Sequence, residues 1–125
     1  MASDRLLVGT ARGIEMLRTN DDGDNWRLEK HVLMGNSIAG EGIKVTADPK
    51  VIYAATRNNV FRSDDCGYTW EERGEGLPKF GAPPHHQLRS FDVHPSDPDI
   101  IFVGTGPIEL HISKDGGRSW QKNEW

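Results

Sequence analysis

Apolar residues occur along the chain in short runs, separated by polar turns that contain Pro, Gly, Asn or Asp. Residues 42–47 alternate between apolar and polar side chains, and residues 51–56 form a nearly continuous apolar run. The same order returns in residues 88–93 and 100–105. Pro and Asp stand where these runs end, because Pro cannot donate to a β-ladder and Asp competes for backbone donors. With no long apolar stripe at helical spacing, the pattern predicts an all-β protein of short antiparallel strands.

Four short strands can be placed in each repeat of about 45 residues, which is the unit of a β-propeller blade. In the first repeat, residues 5–10 match the second strand of the later repeats, and we expect no first strand ahead of them. We therefore predict about eleven strands, or about 2.75 four-stranded antiparallel blades, in one domain over residues 1–125. The blades are expected at about residues 5–33, 41–74 and 87–125.

One eight-residue phrase, [Ser/Thr]-x-Asp-x-Gly-x-x-Trp, occurs three times, and its tryptophans are 44 and 50 residues apart. The Asp can accept hydrogen bonds from its own turn, and the Gly can take a positive φ. The Trp can pack its large apolar surface under the turn. We therefore expect three equivalent turns between third and fourth strands, each with a buried tryptophan. The residues of these turns are Thr19, Asp21, Gly23 and Trp26, then Ser63, Asp65, Gly67 and Trp70, and finally Ser113, Asp115, Gly117 and Trp120.

The phrase resembles the Asp-box, or bacterial neuraminidase repeat, and the chain is similar over nearly its whole length to the propellers that carry it. Those proteins include sialidases, xyloglucan-type hydrolases, sortilin-like receptors and photosystem-assembly propellers. The resemblance implies four-stranded blades around a central channel. It also implies that Asp21, Asp65 and Asp115 are structural, because in this family the box lies on the face away from the substrate site.

Composition and charge narrow the classes of function. The 125 residues carry a net charge of −4 and no basic stripe, which argues against a nucleic-acid partner. No apolar run reaches the length of a membrane span and no leader segment is recognised, so we expect a cytoplasmic protein without a membrane partner. The single cysteine, Cys66, has no partner for an internal disulfide. We expect no metal and no cofactor.

The candidate ligand site lies in the loops between second and third strands and in the crossovers between blades, which share one face of a propeller. Arg12 and Arg57 follow the threonines that end two second strands, so we expect them at equivalent positions on this face. Arg89 begins a first strand nearby. A group of arginines suits a carboxylate or a phosphate, because the planar guanidinium can donate two parallel hydrogen bonds to either.

Two further candidates belong to the same face. The longest crossover, residues 74–87, contains His85 and His86, and long loops on a rigid scaffold often carry binding residues. These histidines could contact a ligand or simply be solvated, and neighbours in an extended segment point apart, which argues against one shared metal ion. Asp92 lies on a first strand, which lines the axis. The ligand-binding candidates are Arg12, Arg57, His85, His86, Arg89 and Asp92.

Two classes of function are compatible with these residues. One is a propeller module that binds a ligand or a partner, with a carbohydrate as one expected ligand. The other is a fragment of a glycoside hydrolase or lyase, sialidase-like or xyloglucanase-like. Glycosidic cleavage needs two carboxyl groups beside the bond, and spacing alone assembles no such pair here. The sequence therefore favours the binding module.

A propeller closes with roughly four blades or more, so 2.75 blades do not close alone. Either the chain is part of a longer propeller, or identical copies join blade to blade in a ring with rotational symmetry. Two copies would supply about six blades and three copies about nine. We expect a homo-oligomer, with the dimer favoured.

Overall fold

The computed structural model describes residues 4–20, 23–38, 42–78 and 87–124. These residues form eleven strands in three antiparallel sheets and no helix. The described part of the chain therefore holds no helix that is long and apolar enough to cross a membrane. The prediction of an all-β protein is confirmed.

The strands of each sheet follow one another in the chain, so each sheet is a simple antiparallel meander. The first sheet contains β1 (Arg5–Thr10), β2 (Gly13–Arg18) and β3 (Arg27–Val32). The second sheet contains β4 (Ile43–Val45), β5 (Ile52–Ala55), β6 (Val60–Ser63) and β7 (Glu71–Glu72). The third sheet contains β8 (Gln87–Val93), β9 (Ile101–Gly106), β10 (Glu109–Ser113) and β11 (Gln121–Lys122).

The second sheet lies between the other two, because separate apolar clusters cover its two faces. One cluster joins it to the first sheet and includes Met16 and Ala54. The other joins it to the third sheet and includes Tyr53 and Val103. All residues of β5 and β6 are buried, as expected for strands that are covered on both faces.

Because side chains alternate along a strand, each sheet has one face toward the sheet before it in the chain and one toward the sheet after it. We call these the preceding face and the following face. On β5, Ala54 belongs to the preceding face and Tyr53 to the following face. On β9, Ile101 lies on the preceding face, where it packs in one cluster with Tyr53. On β1, Leu7 packs toward the second sheet, so its neighbour Leu6 lies on the preceding face.

Two outer faces are covered by no other sheet of the described residues. On the preceding face of the first sheet, the register places Leu6, Leu17 and Leu28 side by side. Leu6 is 44% exposed and Leu28 is 49% exposed. On the following face of the third sheet, Phe102 pairs with Ile112, and both side chains are half-buried. The stack of sheets therefore ends in apolar side chains on both sides.

Candidate functional site

The repeat turn of the second sheet, residues 63–70, is closed by its own side chains. Ser63 Oγ accepts a hydrogen bond from Gly67 N at 2.8 Å and donates one to Asp65 Oδ1 at 2.8 Å. Asp65 also accepts hydrogen bonds from Thr69, through N at 2.8 Å and through Oγ1 at 2.6 Å. Both oxygens of this carboxylate are therefore used within the turn.

The repeat turn of the third sheet, residues 113–120, has the same hydrogen bonds. Gly117 N donates to Ser113 Oγ at 2.8 Å, and Ser113 Oγ donates to Asp115 Oδ1 at 2.8 Å. Ser119 donates to Asp115 through N at 2.9 Å and through Oγ at 2.5 Å. The predicted role of the aspartate as an acceptor for its own turn is confirmed in both sheets.

These hydrogen bonds stabilise the charged form of each carboxylate. At Asp115, the bond from the Ser119 hydroxyl contributes most, and together the bonds lower the pKa to about 2. At Asp65, burial acts to raise the pKa, but the bonds from Thr69 and Ser63 outweigh it, and the pKa is lowered. Both groups are therefore ionised acceptors at neutral pH.

Positive φ angles at the fifth residue of the turn are confirmed in all three sheets: 97° at Gly23, 96° at Gly67 and 87° at Gly117. The fourth residue is also left-handed in the two later turns, with φ 64° at Cys66 and 73° at Gly116. A side chain is strained in this region of φ, so the glycine in the fifth position has a direct conformational reason.

The second and third repeat turns are both bound by an arginine of the sheet before them. Arg5 of the first sheet donates from Nη2 to the carbonyl oxygen of Cys66 at 3.0 Å. Arg73, which follows β7 of the second sheet, donates from Nη1 to the carbonyl oxygen of Gly116 at 2.6 Å. Cys66 and Gly116 are the fourth residues of their turns, so the two contacts are equivalent. Each turn therefore connects its own sheet to the preceding one.

A buried arginine strengthens the interface between the second and third sheets. Arg62 donates from Nη1 to Tyr53 Oη at 2.8 Å and to Asp99 Oδ1 at 2.7 Å. Its Nε and Nη2 bind Asp64 Oδ1, and Tyr53 Oη in turn donates to the Pro98 carbonyl at 2.7 Å. Burial acts to lower the pKa of Arg62, but the bonds to Asp64 and Asp99 outweigh it and raise the pKa. Burial raises the pKa of Tyr53.

The interface between the first and second sheets has a different centre, the ring of Tyr68. The Arg5 guanidinium lies 4.6 Å from the ring centroid and Lys30 Nζ lies 5.8 Å from it, both in cation–π contact. Tyr68 Oη accepts a hydrogen bond from Arg18 Nη2 at 3.2 Å and donates one to Glu29 Oε1 at 3.0 Å. The bond from Arg18 lowers the pKa of Glu29.

The repeat turn of the first sheet is described at residues 19–20 and 23–26. Gly23 N donates to Thr19 Oγ1 at 3.2 Å, a longer bond than in the other two turns, and Asp21 lies outside the described residues. A cavity of about 210 Å³ lies beside this turn. Its lining residues are Arg18, Asn20, Asn25, Trp26 and Arg27.

The prediction of three equivalent buried tryptophans is wrong for Trp26, which is 39% exposed. Trp70 and Trp120 are half-buried against the clusters that join their sheets to the preceding ones. Trp120 Nε1 donates across the interface to the Arg73 carbonyl at 2.8 Å. Trp70 Nε1 and Trp26 Nε1 donate within their own turns, to the carbonyl oxygens of Gly67 at 2.8 Å and Gly23 at 3.0 Å, so the three differ in burial more than in local bonding. The tryptophan is thus covered by the preceding sheet, and the described residues place no sheet before the first one.

The prediction that Arg12 and Arg57 occupy equivalent positions is also wrong. Arg12 N donates to Thr10 Oγ1 at 3.1 Å, and Asn58 N donates to Thr56 Oγ1 at 3.2 Å. Arg12 therefore corresponds to Asn58, and Arg57 stands one position earlier in its turn. Successive residues of a tight turn point in different directions, so the two arginines are not presented in the same way.

Arg57 in the β5–β6 turn and Arg89 in β8 lie on neighbouring segments at the interface between the second and third sheets; Arg89 stands where the register of β8 shifts, between Leu88 and Ser90. Leu88 N donates to the Arg57 carbonyl at 2.8 Å, which joins the β5–β6 turn to the start of β8. The Arg89 side chain lies over Gly106, where an added Cβ would be 3.2 Å from Arg89 Nε. Both arginines are exposed, and neither has an ion pair with another residue that the structure describes.

The remaining candidates do not join this pair. Asp92 is exposed on β8 opposite Phe102, and its carboxylate accepts a hydrogen bond from Val93 N at 2.8 Å. It stands three residues beyond Arg89, roughly 10 Å further along the strand. His85 and His86 lie outside the described residues.

A groove of about 480 Å³ lies beside the β5–β6 turn. The sequence did not predict it, because its walls become neighbours only when the crossover after β7 folds back past that turn. Its lining combines two amides, two carboxylates and a short apolar floor. The lining residues are Asn58, Asn59, Glu72, Gly74, Glu75, Gly76, Leu77 and Pro78.

The arginines at the interfaces between sheets were also missed, although the sequence contains a signal for two of them. Arg62 and Arg18 each stand directly before the Ser or Thr that opens a repeat phrase. Both reach the interface with the following sheet. Arg5 and Arg73 carry no such signal, because they stand at unrelated positions of their repeats.

No protein-family model matches the chain, and no curated protein sequence matches it. Within the described ranges, no three His, Cys, Asp or Glu side chains are grouped in a way that could hold a metal ion.

Proposed function

We propose that the chain is an Asp-box β-propeller module, about 2.75 blades long, that acts as a scaffold for binding a ligand or a partner. The order of strands within each sheet and the stacking of the three sheets support the blade assignment. The matching hydrogen bonds around Asp65 and Asp115 support the assignment of the turns as Asp-boxes. Such a module is completed by self-association or by the other blades of a longer chain.

In this proposal, the box aspartates have a structural role and not a chemical one. The carboxylate oxygens of Asp65 and Asp115 are used by donors of their own turns. Their lowered pKa values keep them ionised, whereas a general acid needs a pKa near the working pH. These features support a binding scaffold over a hydrolase built on the boxes.

The ligand site that the geometry supports best is the surface around Arg57 and Arg89. The observation that carries this assignment is that two exposed arginines, without ion pairs to described residues, lie on segments joined by the bond from Leu88 N to the Arg57 carbonyl: Arg57 in the β5–β6 turn and Arg89 at the irregularity in β8. Two guanidinium groups can bind a carboxylate or a phosphate. The amides of Asn58 and Asn59 line the adjoining groove and can bind hydroxyl groups.

An acidic carbohydrate combines these features, since it carries one anionic group among many hydroxyls. The anion would be held by Arg57 and Arg89, and the sugar hydroxyls by the groove. Arg12 belongs to the corresponding turn of the first sheet, one sheet away. It is a second cationic position, which a longer ligand could reach.

The test is a glycan array that contains matched acidic and neutral glycans, followed by calorimetry with the best binder. We expect binding of acidic glycans that weakens about tenfold or more in Arg57→Ala and in Arg89→Ala, because each removes a charge-assisted hydrogen bond. Arg118→Ala is the control, because Arg118 is an exposed arginine of the third repeat turn. Equal binding of neutral and acidic glycans, or equal loss in the control, would contradict the site.

A hydrolysis assay on the same protein distinguishes a binding module from a glycoside hydrolase. Fluorogenic glycosides should remain intact in the presence of the protein. Release of the fluorophore that is lost in Asp92→Asn would instead identify a fragment of a glycoside hydrolase, and would replace the binding proposal.

A further inference from the structure

Equivalent residues on the preceding faces of the three sheets differ greatly in exposure. A threonine recurs at or next to the end of the same strand of each repeat, at Thr10, Thr56 and Thr105. The residue four positions before it is Leu6, Ile52 or Ile101. Ile52 is 4% exposed and Ile101 is 0% exposed, because the sheet before each of them covers it. Leu6 is 44% exposed. Leu6 is thus an apolar side chain at the position that is buried against a preceding sheet in the second and third sheets.

The surface that covers these positions inside the molecule is repeated on the third sheet. In both internal interfaces, two apolar residues of the following face cover the next sheet. The first stands three residues before the threonine that recurs in each repeat, and the second stands three residues before the repeat phrase. The third sheet has apolar residues at both positions. The residues are Leu7 and Met16 in the first sheet, Tyr53 and Val60 in the second, and Phe102 and Leu110 in the third.

We propose that the following face of the third sheet binds the preceding face of the first sheet of a second copy, and that two copies close a ring in this way. This inference rests on the proposed propeller architecture and names the partner that completes it. Each copy brings three sheets, so two copies bring six. Propellers close with about four to eight blades, which fits two copies and not three. A head-to-tail contact that closes a ring is satisfied in every subunit.

The interface between the second and third sheets suggests one specific contact in the new one. Arg73 N bonds to the Val60 carbonyl at 2.7 Å, and Asn123 N bonds to the Leu110 carbonyl at 2.8 Å, so Asn123 is the counterpart of Arg73. The Arg73 carbonyl accepts the Trp120 indole. If the new interface follows this one, Trp26 of one copy donates to the Asn123 carbonyl of the other; if it follows the interface between the first and second sheets, where Trp70 Nε1 donates to Gly67 of its own turn at 2.8 Å, Trp26 keeps its present acceptor, Gly23.

The new interface should be more apolar than the interface between the second and third sheets. Ile112 stands directly before the third repeat phrase, where Arg62 stands before the second. The counterpart of the buried Arg62 guanidinium is therefore an aliphatic side chain. Association that depends on apolar contact should change little between low and high salt.

The experiment combines two variants that damage opposite faces. Leu28→Asp places a charge on the preceding face of the first sheet, and Ile112→Asp places one on the following face of the third. Light scattering of the native chain at micromolar concentration should give twice its mass of 14.0 kDa. Each variant should raise the dissociation constant at least about tenfold. A mixture of the two should associate more tightly than either alone, because one of the two contacts in the mixed ring joins two undamaged faces, whereas both contacts are damaged in each variant alone.

Ile108→Asp is the matched control, because Ile108 is 83% exposed in the turn between β9 and β10. It should associate like the native chain, and circular dichroism should show that all variants keep the β fold. A folded native monomer at micromolar concentration would overturn the inference and leave the open face to sheets of a longer chain. A dimer that only one of the two face variants weakens would also overturn it, since that result indicates a contact between identical faces.

The glycan assay keeps this inference distinct from the proposed function. A dimer that binds no acidic glycan would contradict the ligand site and leave the assembly intact. A monomer that binds acidic glycans through Arg57 and Arg89 would contradict the assembly and leave the ligand site intact.

Discussion

The first and third repeat turns share one phrase and lie in different surroundings. The third turn is bound by Arg73 of the preceding sheet, and its tryptophan, Trp120, donates a hydrogen bond across that interface. The first turn has no preceding sheet among the described residues, and Trp26 is exposed and bonded only within its own turn. The phrase therefore closes its turn through local hydrogen bonds, whereas the burial of its tryptophan depends on a neighbouring sheet. The acceptor of the indole does not follow the same rule, because Trp70 is covered by the first sheet and still donates to Gly67 of its own turn.

The second turn adds a further contrast. Its interface with the first sheet is built around Tyr68 and three cations, whereas that of the third turn is built around the buried Arg62. The backbone contact from an arginine to the fourth residue of the turn is common to both. Equivalent turns can thus dock by the same backbone contact with different side-chain chemistry.

The largest expected effect on stability is the difference between truncating Trp120, which the second sheet covers, and truncating Trp26, which is exposed. Trp120→Ala should lower the free energy of unfolding by about 3 kcal/mol, because it removes apolar area from an internal interface and leaves the Arg73 carbonyl without its donor. Trp26→Ala should cost about 1 kcal/mol or less in dilute protein, as expected for an exposed side chain. Urea unfolding of both variants at low concentration is the measurement.

Repeating both unfolding measurements at a higher protein concentration is the control. If a second copy covers Trp26, the effect of Trp26→Ala should grow as the protein concentration rises, whereas the effect of Trp120→Ala should not. Equal losses for the two variants in dilute protein would show that burial by the preceding sheet is not what distinguishes the two turns.

Local features of the fold could be predicted from the sequence. Period-two runs and turns that contain Pro predicted the eleven strands of the described residues, three in the first sheet and four in each of the others. The repeat phrase predicted the acceptor role of Asp65 and Asp115. These features depend on residues close together in the chain. The positive φ of Gly67 belongs to the same class, because one turn determines it.

Contacts between sheets could not be predicted in the same way. Trp26 matches its counterparts in sequence, and only the stacking order determines that it is uncovered. The offset between Arg12 and Arg57 is one residue, which the turn geometry decides and the apolar pattern does not. The groove beside Asn58 and Asn59 forms from segments that no motif relates.

A smaller effect on stability should distinguish Arg62, at the interface between the second and third sheets, from Arg18, at the interface between the first and second sheets. Arg62→Met should lower the free energy of unfolding by about 2 kcal/mol, because the Asp99 and Asp64 carboxylates and the Tyr53 hydroxyl lose a buried donor. Arg18→Met changes the corresponding residue of the first sheet, which is more exposed, and should cost less. Thermal unfolding in low and high salt measures both.

Arg62→Lys sharpens this comparison, because it keeps the positive charge and loses the planar guanidinium group with its several N–H donors. It should recover only part of the stability, since one ammonium group cannot bind Asp99, Asp64 and Tyr53 with the same geometry. Full recovery by lysine would show that charge alone holds the interface.

The smallest effect concerns the fourth residue of the turn, where the second sheet has Cys66 and the third has Gly116. Cys66 adopts φ 64°, which strains a side chain, so Cys66→Gly should raise the free energy of unfolding by about 0.5 kcal/mol after the added flexibility of the unfolded chain is counted. Gly116→Ala should have the opposite sign, because φ is 73° there and an added Cβ would meet the Arg62 guanidinium. Urea unfolding measures both, and a loss of stability in Cys66→Gly would mean that the contacts of the cysteine side chain outweigh its backbone strain.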